Sequence, residues 1–242
     1  MKSVRDHYHE HLASIYSWMA GGAEAALARG AAELDSLHLT PTSSGLAVDL
    51  GAGFGMHAVP LARRGFKVVA VDSSTTLLDE LQAHAAALPI QVVAEDLLDF
   101  MDGLTDSPEV ILCMGDTLTH LPDKEAIGRL FAKAAILLAP GGAFVLSFRD
   151  YTTPLAGESR FIPVRSDSNR IFTCFLEYET DHINVYDVLQ ERTGSRWNQR
   201  VSSYRKLRLA PEWVAAALER TGLRARREAG LSGMVRLVAY RN

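Results

Sequence analysis

The sequence predicts an α/β fold, a doubly wound seven-stranded sheet with an inserted antiparallel β meander. Three observations lead there. Short β-rich runs alternate with helical stretches from Leu46 to Phe148, the rhythm of parallel strands joined by crossover helices. Four β-rich runs then follow one another between Phe161 and Arg208 with only polar turns between them, as in a meander. The chain closes on one helix and two further strands.

Each element has its own signal. Leu46 to Leu50 is apolar except for Asp49 and reads as a buried strand. Met56 to Arg64 reads as a helix, with a kink or irregular turn expected at Pro60 because proline removes a helix hydrogen bond. Lys67 to Val71 is the second strand and Ser73 to Leu88 a Leu/Ala-rich helix. Ile90 to Ala94 and Val110 to Met114 are the third and fourth strands, and Lys124 to Leu138 the next helix. Pro140-Gly141-Gly142 turns the chain into a fifth strand, Ala143 to Phe148. The meander strands are Phe161–Arg165, Arg170–Glu179, Ile183–Arg192 and Gln199–Arg208. Pro211 opens a helix with Trp213, Val214, Ala217 and Leu218 on one face, and Thr221-Gly222 stops it. Leu223–Arg227 and Met234–Tyr240 complete the sheet.

The 242 residues are 48% hydrophobic and 22% charged, an ordinary globular composition. A chain of this length buries roughly 70–75% of its unfolded surface, so it needs no staples. Cys113 and Cys174 sit in apolar runs and read as reduced core thiols. No run reaches the roughly 20 apolar residues of a membrane helix, and the polar start Met1-Lys2-Ser3-Val4-Arg5-Asp6 is not a signal peptide. A cytoplasmic protein with no membrane partner is expected. The net charge of −4 conceals an asymmetry: residues 191–242 hold 12 Lys/Arg against 4 Asp/Glu. A basic end can meet an anionic partner. With no Lys/Arg-rich run and no stacking module, however, these arginines read as the solvent-facing half of strands and a helix, and a nucleic-acid partner is disfavoured.

The functional signal is Val48-Asp49-Leu50-Gly51-Ala52-Gly53-Phe54-Gly55, between the first strand and the first helix. Glycines there permit a tight turn and close approach of backbone to a ligand. A dinucleotide fingerprint needs glycine at position 56, where Met56 stands. Asp72 ends the second strand, 21 residues after Gly51, where a carboxylate can accept from two ribose hydroxyls. Glu95-Asp96-Leu97 follows the third strand and Met114-Gly115-Asp116 the fourth. All lie at carboxyl ends of strands, where open α/β sheets bind ligands.

With these residues the chain resembles the class I S-adenosylmethionine-dependent methyltransferases, which have a Rossmann-like fold. Asp49 to Gly55 matches that family's first motif, Asp72 its second acidic position, Asp96 the acidic residue after the third strand, and Pro140-Gly141-Gly142 the turn before the fifth. The meander and the Pro211–Gly222 tail look like small-molecule N- or O-methyltransferases of the glycine/sarcosine type. The resemblance implies S-adenosyl-L-methionine as cofactor, S-adenosyl-L-homocysteine as product, and a small-molecule acceptor. It implies an N-terminal lid segment (1–40), a cofactor-binding core (41–150), a substrate-side insert (151–210) and closing elements of the core (211–242). Asp49, Gly51, Ala52 and Gly53 would approach the methionine moiety, Asp72 with Ser73 the ribose, Asp96 with Leu97 the adenine, and Met114 with Gly115 the sulfonium. On the lid, Tyr8, Tyr16 and Trp18 either face a sulfonium or substrate amine or form the apolar stripe of a docked helix.

Other residues extend the site. His120, after the fourth strand, is positioned to accept a proton from the nucleophile, or else makes a local hydrogen bond. Arg149 is a candidate clamp for a substrate carboxylate, with a salt bridge to Asp150 the alternative. Tyr151 follows it on the substrate side; Asp116 pairs with a substrate amine or caps the next turn. Trp197, Tyr178 and Tyr204 either wall the cavity or pack in the core, and His57 packs beside the cofactor. His7, His9 and His11 lack a completing Cys or carboxylate, so no metal is expected. The fourth-strand loop is not the Asn/Asp-Pro-Pro-Tyr/Phe of nucleic-acid amino-methyltransferases, which disfavours base methylation. Three other readings stand beside the first: an RNA or protein methyltransferase using the basic end, a non-catalytic nucleotide sensor, and an NAD oxidoreductase. Met56 and the lack of a Tyr-x-x-x-Lys pair disfavour the last. The acceptor's identity and the choice between monomer and homo-oligomer are left open.

Overall fold

The structure, a computed structural model, describes residues 2–85 and 87–242. Met1 and Ala86, which fall within the expected polar start and the expected second helix, lie outside the described residues. The chain opens with α1 (Val4–His7), a π-helical stretch (Tyr8–Leu12), a 3-10 turn (Ala13–Ile15), α2 (Tyr16–Met19) and α3 (Ala23–Asp35). Alternation follows: β1 (Leu46–Leu50), α4 (Ala58–Arg63), β2 (Lys67–Asp72), α5 (Thr75–His84), β3 (Ile90–Ala94), α6 (Leu97–Gly103) and β4 (Val110–Cys113). A 3-10 turn (Thr117–His120), α7 (Lys124–Leu137) and β5 (Ala143–Phe148) complete it. The meander is β6 (Phe161–Ser166), β7 (Arg170–Tyr178), β8 (His182–Thr193) and β9 (Arg196–Leu207); α8 (Pro211–Glu219), β10 (Arg224–Ala229) and β11 (Val235–Tyr240) close the chain.

The seven-stranded sheet runs β10-β11-β5-β4-β1-β2-β3, and β6 to β9 form a separate four-stranded sheet. β1 to β5 pair in parallel, while β11 pairs antiparallel with both β5 and β10. Side-chain alternation along each strand supplies both faces. Val48 and Leu50 join Ile127, Phe131, Val214 and Leu218 on the α7/α8 side. Ala47 joins Leu34, Leu61, Leu78 and Leu81 on the α3/α4/α5 side. The order of strands reverses between β1 and β4, and in such sheets a ligand crevice opens at that point.

Three expectations need correction. The first crossover helix begins at Ala58, not Met56, because Gly51, Gly53 and Gly55 all take positive φ (+74°, +54° and +95°). Pro60 then falls in the first turn, where the one bond it forgoes, to the Met56 carbonyl, precedes the helix proper, so no kink is needed. The second helix ends at His84: Ala87 is left-handed (φ +68°), and Pro89 disfavours the α region for Leu88. An unexpected helix, α6, lies between β3 and β4, with Asp96 as its N-cap accepting from the Leu98 amide at 2.8 Å.

Candidate functional site

The carboxyl ends of β1 to β4 border a cavity of about 410 Å3. Gly51, Ala52 and Gly53 form its floor. A Cβ at Gly51 would stand 2.5 Å from Thr117 Oγ1, so only glycine lets the loop meet the turn after β4. Asp72 organises this loop: its Oδ2 accepts from the Gly53 amide and its Oδ1 from the Ser74 amide, both at 2.8 Å. Burial nevertheless pushes the Asp72 carboxyl up. Ser73, Asp96, Leu97, Met114 and Gly115 also border the cavity. Asp49 does not. It is buried beneath the loop with Oδ2 lacking a partner among the described residues, and burial raises its carboxyl to about 6 despite nearby His57.

The N-terminal segment covers the far side. Tyr8 and Tyr16 border the cavity with ring centroids 5.7 Å apart, and burial raises both phenols so that they are neutral. The π-helical stretch carries Tyr8 to this position; such irregular turns recur at functional sites. The segment is anchored more firmly than a loosely held lid. Leu12 and Ile15 are buried against Phe172 and Leu189 of the meander. His7 lies 2.9 Å (Nε2) from Asp187 Oδ2 and 2.8 Å (Nδ1) from Ser202 Oγ, fully buried.

His120 stands where this cavity meets a second, more open one of about 650 Å3; both are bordered by Val4, His120, Leu121 and Pro122. The ring contacts Tyr8 and Tyr204 edge-on at 5.6 and 5.7 Å, and its Nε2 has no hydrogen-bond partner among the described residues. Burial, then the Lys206 ammonium, lower its pKa to about 3, so the ring is neutral and offers a lone pair.

Other expected substrate residues lie elsewhere. Asp116, left-handed at φ +81°, faces away from the first cavity into a buried cluster. It accepts from Lys206 Nζ (2.5 Å), the Tyr151 hydroxyl (2.9 Å) and the Arg149 amide (2.9 Å). Burial opposes its charge, but Lys206 holds the carboxyl below its usual range. Tyr151 is therefore a partner of Asp116 rather than a wall of the first cavity. The Arg149 side chain is exposed and donates to the Ser232 carbonyl at 3.2 Å, pairing neither with Asp150 nor with that cavity. Trp18 is likewise displaced: its indole N–H donates to Asp167 at 2.6 Å, and Arg165 and Arg170 lie over its ring at 5.5 and 5.6 Å. The cations facing Trp18 are the chain's own. Tyr204 is core, stacked on His7 at 4.2 Å, while Trp197 is exposed.

Sequence reasoning missed Lys206 and the α3 residues Arg29 and Glu33. Lys206 shares the period-two face of Ser202 and Tyr204 on β9, a legible but weak signal. Glu33 lies 3.1 Å from His57, and both border the first cavity. The basic carboxyl-terminal end is paired in part, with Arg227 on Glu212 and Arg226 and Arg236 on Glu228.

Comparison with known proteins agrees with this architecture. Residues 47–142 match the family profile of a methyltransferase domain. Over 129 residues the chain is 35% identical to a ubiquinone biosynthesis O-methyltransferase of Caulobacter sp. (strain K31), covering 51% of this chain and 48% of that protein. The chain thus spans about half the length of the curated relatives it matches. Whole-chain likeness is structural. DesVI of Streptomyces venezuelae superposes with TM-score 0.79 at 20% identity, covering 95% of this chain and 98% of the other. A SAM-bound amino pentose methyltransferase from Micromonospora echinaspora gives 0.77 at 17%, covering 95% and 96%. The fold is the one these solved methyltransferases share, and residues 47–142 are similar to the methyltransferase-domain family. The glycine/sarcosine subtype gains no support from these names.

Proposed function

We propose that the chain is a methyltransferase that takes S-adenosylmethionine in the first cavity and a small-molecule amine or hydroxyl acceptor in the second. One observation carries this reading: the two cavities meet at His120, whose neutral ring holds an unmatched Nε2. The residues suit the cofactor. The volume of about 410 Å3 lies within the range of small-molecule sites. Asp72 and Asp96 offer acceptors at the nucleoside end, and the unmatched Asp49 carboxyl beneath the loop provides negative charge toward a cationic methionine end.

When bound, S-adenosylmethionine supplies a methyl group already activated on a sulfonium, transferred to the acceptor by in-line displacement with S-adenosylhomocysteine as product. The chain's contribution is mainly alignment and exclusion of water. Gly51 to Gly53 and Thr117 fix one wall. Tyr8 and Tyr16 close the opposite side and turn neutral aromatic faces toward positive charge. His120 Nε2 accepts a hydrogen bond from the acceptor's N–H or O–H and orients its lone pair; with its pKa held near 3 the ring positions the nucleophile, and the proton leaves to solvent after transfer.

The test is transfer of labelled methyl from S-adenosylmethionine into a small-metabolite pool. Label in the low-molecular-weight fraction is expected. Label confined to RNA or protein would overturn the acceptor class, and cofactor binding without transfer to any pool would leave a sensor.

A further inference from the structure

The second cavity has a chemical character of its own. Its charged lining is cationic, formed by Lys2, Arg205 and Lys206 beside the imidazoles of His182 and His120, and no Asp or Glu borders it among the described residues. The carboxylates that pair with these cations stand behind them. Lys2 pairs with Glu10, Arg205 with Glu179 at 3.7 Å, and Lys206 with Asp116 at 2.5 Å, none of these carboxylates lining the cavity. Each pairing leaves donors over. An ammonium carries three N–H groups, and Lys206, only 11% exposed, has one protein acceptor among the described residues. The Arg205 contact is too long for a hydrogen bond, so its guanidinium keeps its donor fork. His182 Nδ1 is buried without a partner among the described residues.

Donors without acceptors around a concave, acid-free wall fit an anion. We propose that the methyl acceptor carries a carboxylate or phosphate group, held in the second cavity by Lys2, Arg205, Lys206 and His182. This rests on the methyltransferase reading and adds a substrate class to it. The anionic end anchors the acceptor against β9 while its amine or hydroxyl points past Val4 and Leu121 to His120. Arg205 reads the charge at the rim, where it is 55% exposed, and Lys206 reads it inside. A neutral acceptor would leave the Lys206 and His182 donors unmatched.

The test is a proton-resonance titration of the full chain with inorganic phosphate and, separately, with succinate, at matched ionic strength and pH. Succinamide is the uncharged control, and His182→Asn assigns the ring signals. Saturable shifts of the His182 and His120 ring protons with one or both anions, absent with succinamide, are expected. Preference for phosphate would point to a phosphorylated acceptor, and preference for succinate to a carboxylic one. Arg205→Gln should weaken the anion about tenfold and leave S-adenosylhomocysteine affinity unchanged. No saturable shift with either anion, or equal affinity in wild type and Arg205→Gln, overturns the proposal. S-adenosylhomocysteine is titrated into the same sample, and the anions into both empty and loaded protein. Failure of the nucleoside to bind would sink the methyltransferase reading while the anion result is still read; anion failure in a chain that binds it would sink this inference alone.

Discussion

Asp49 and His120 are both buried beside the first cavity, and their protons move stability in opposite senses. Burial raises the Asp49 carboxyl to about 6. The folded chain therefore holds this proton more tightly than the unfolded one. Its contribution is fully present below the ordinary carboxylate range and is lost as pH rises through about 6. Asp49→Asn should stabilise the empty protein by about 2–3 kcal/mol at pH 8 and change it little near pH 4; thermal unfolding at both values checks this, and equal shifts at both would refute the assignment. His120, lowered to about 3, is the reverse: the unfolded chain takes the proton first, so stability falls as pH drops from the ordinary histidine range toward 3. His120→Asn, which disturbs the positioning hydrogen bond, should lower kcat about tenfold without weakening S-adenosylhomocysteine. Because the wild-type ring stays neutral, the empty enzyme should show no histidine titration near pH 6–7 at this position.

Two elements depend on contacts that one atom decides. Pro60 leaves the Met56 carbonyl without a helical donor, and a Cβ at Gly30 on α3 would stand 1.9 Å from that oxygen. Gly30 lets α3 pack directly on the entrance to α4, with its own Cα–H groups facing the carbonyl. Gly30→Ala should cost about 1–3 kcal/mol by overpacking, although alanine is the better helix former; a melting temperature at or above wild type would contradict this. The N-terminal segment presents the opposite case. His7, Leu12 and Ile15 fix it to the meander, while Tyr8 and Tyr16 reach the cavity. Amide exchange over residues 8–20 should slow when S-adenosylmethionine is added, and that of Val68 to Val71 should not. Equal protection in both states would make these tyrosines permanent core and remove the lid role.

At the scale of the whole molecule, two sheets share one site. The seven-stranded sheet supplies the glycine loop, Asp72 and the turn after β4, while the meander supplies Lys206, Arg205 and His182. The N-terminal segment bridges them. Binding that joins these parts should stabilise the whole: S-adenosylhomocysteine at about 100 times its Kd adds roughly 2.7 kcal/mol, a rise in Tm of about 5–11 °C for a chain of this size. NAD at the same concentration should leave Tm unchanged; an equal rise with NAD would refute the cofactor assignment.

The strands of both sheets were legible in the sequence because their signals are local. β1 is a short apolar run before glycines, and the meander strands are β-rich runs parted by polar turns. The first cavity's border was legible for the same reason, since Gly51, Gly53, Asp72 and Asp96 lie at strand ends whose positions periodicity fixes. The acceptor side was not. Trp18 meets Asp167 across 149 positions, His7 meets Asp187 across 180, and Lys206 meets Asp116 across 90. No local pattern records which of several nearby polar groups a buried charge will choose. Asp116, Tyr151 and Arg149 look alike in sequence, as polar residues after strands, yet Asp116 takes Lys206 and the Tyr151 hydroxyl because burial makes an unpaired charge costly, while the Arg149 side chain turns outward to Ser232. What the sequence by itself determined was the succession of strands and the glycine loop between β1 and α4. Only the tertiary structure decided which side chains were consumed in pairing and which, like His120 at its Nε2, kept no partner among the described residues.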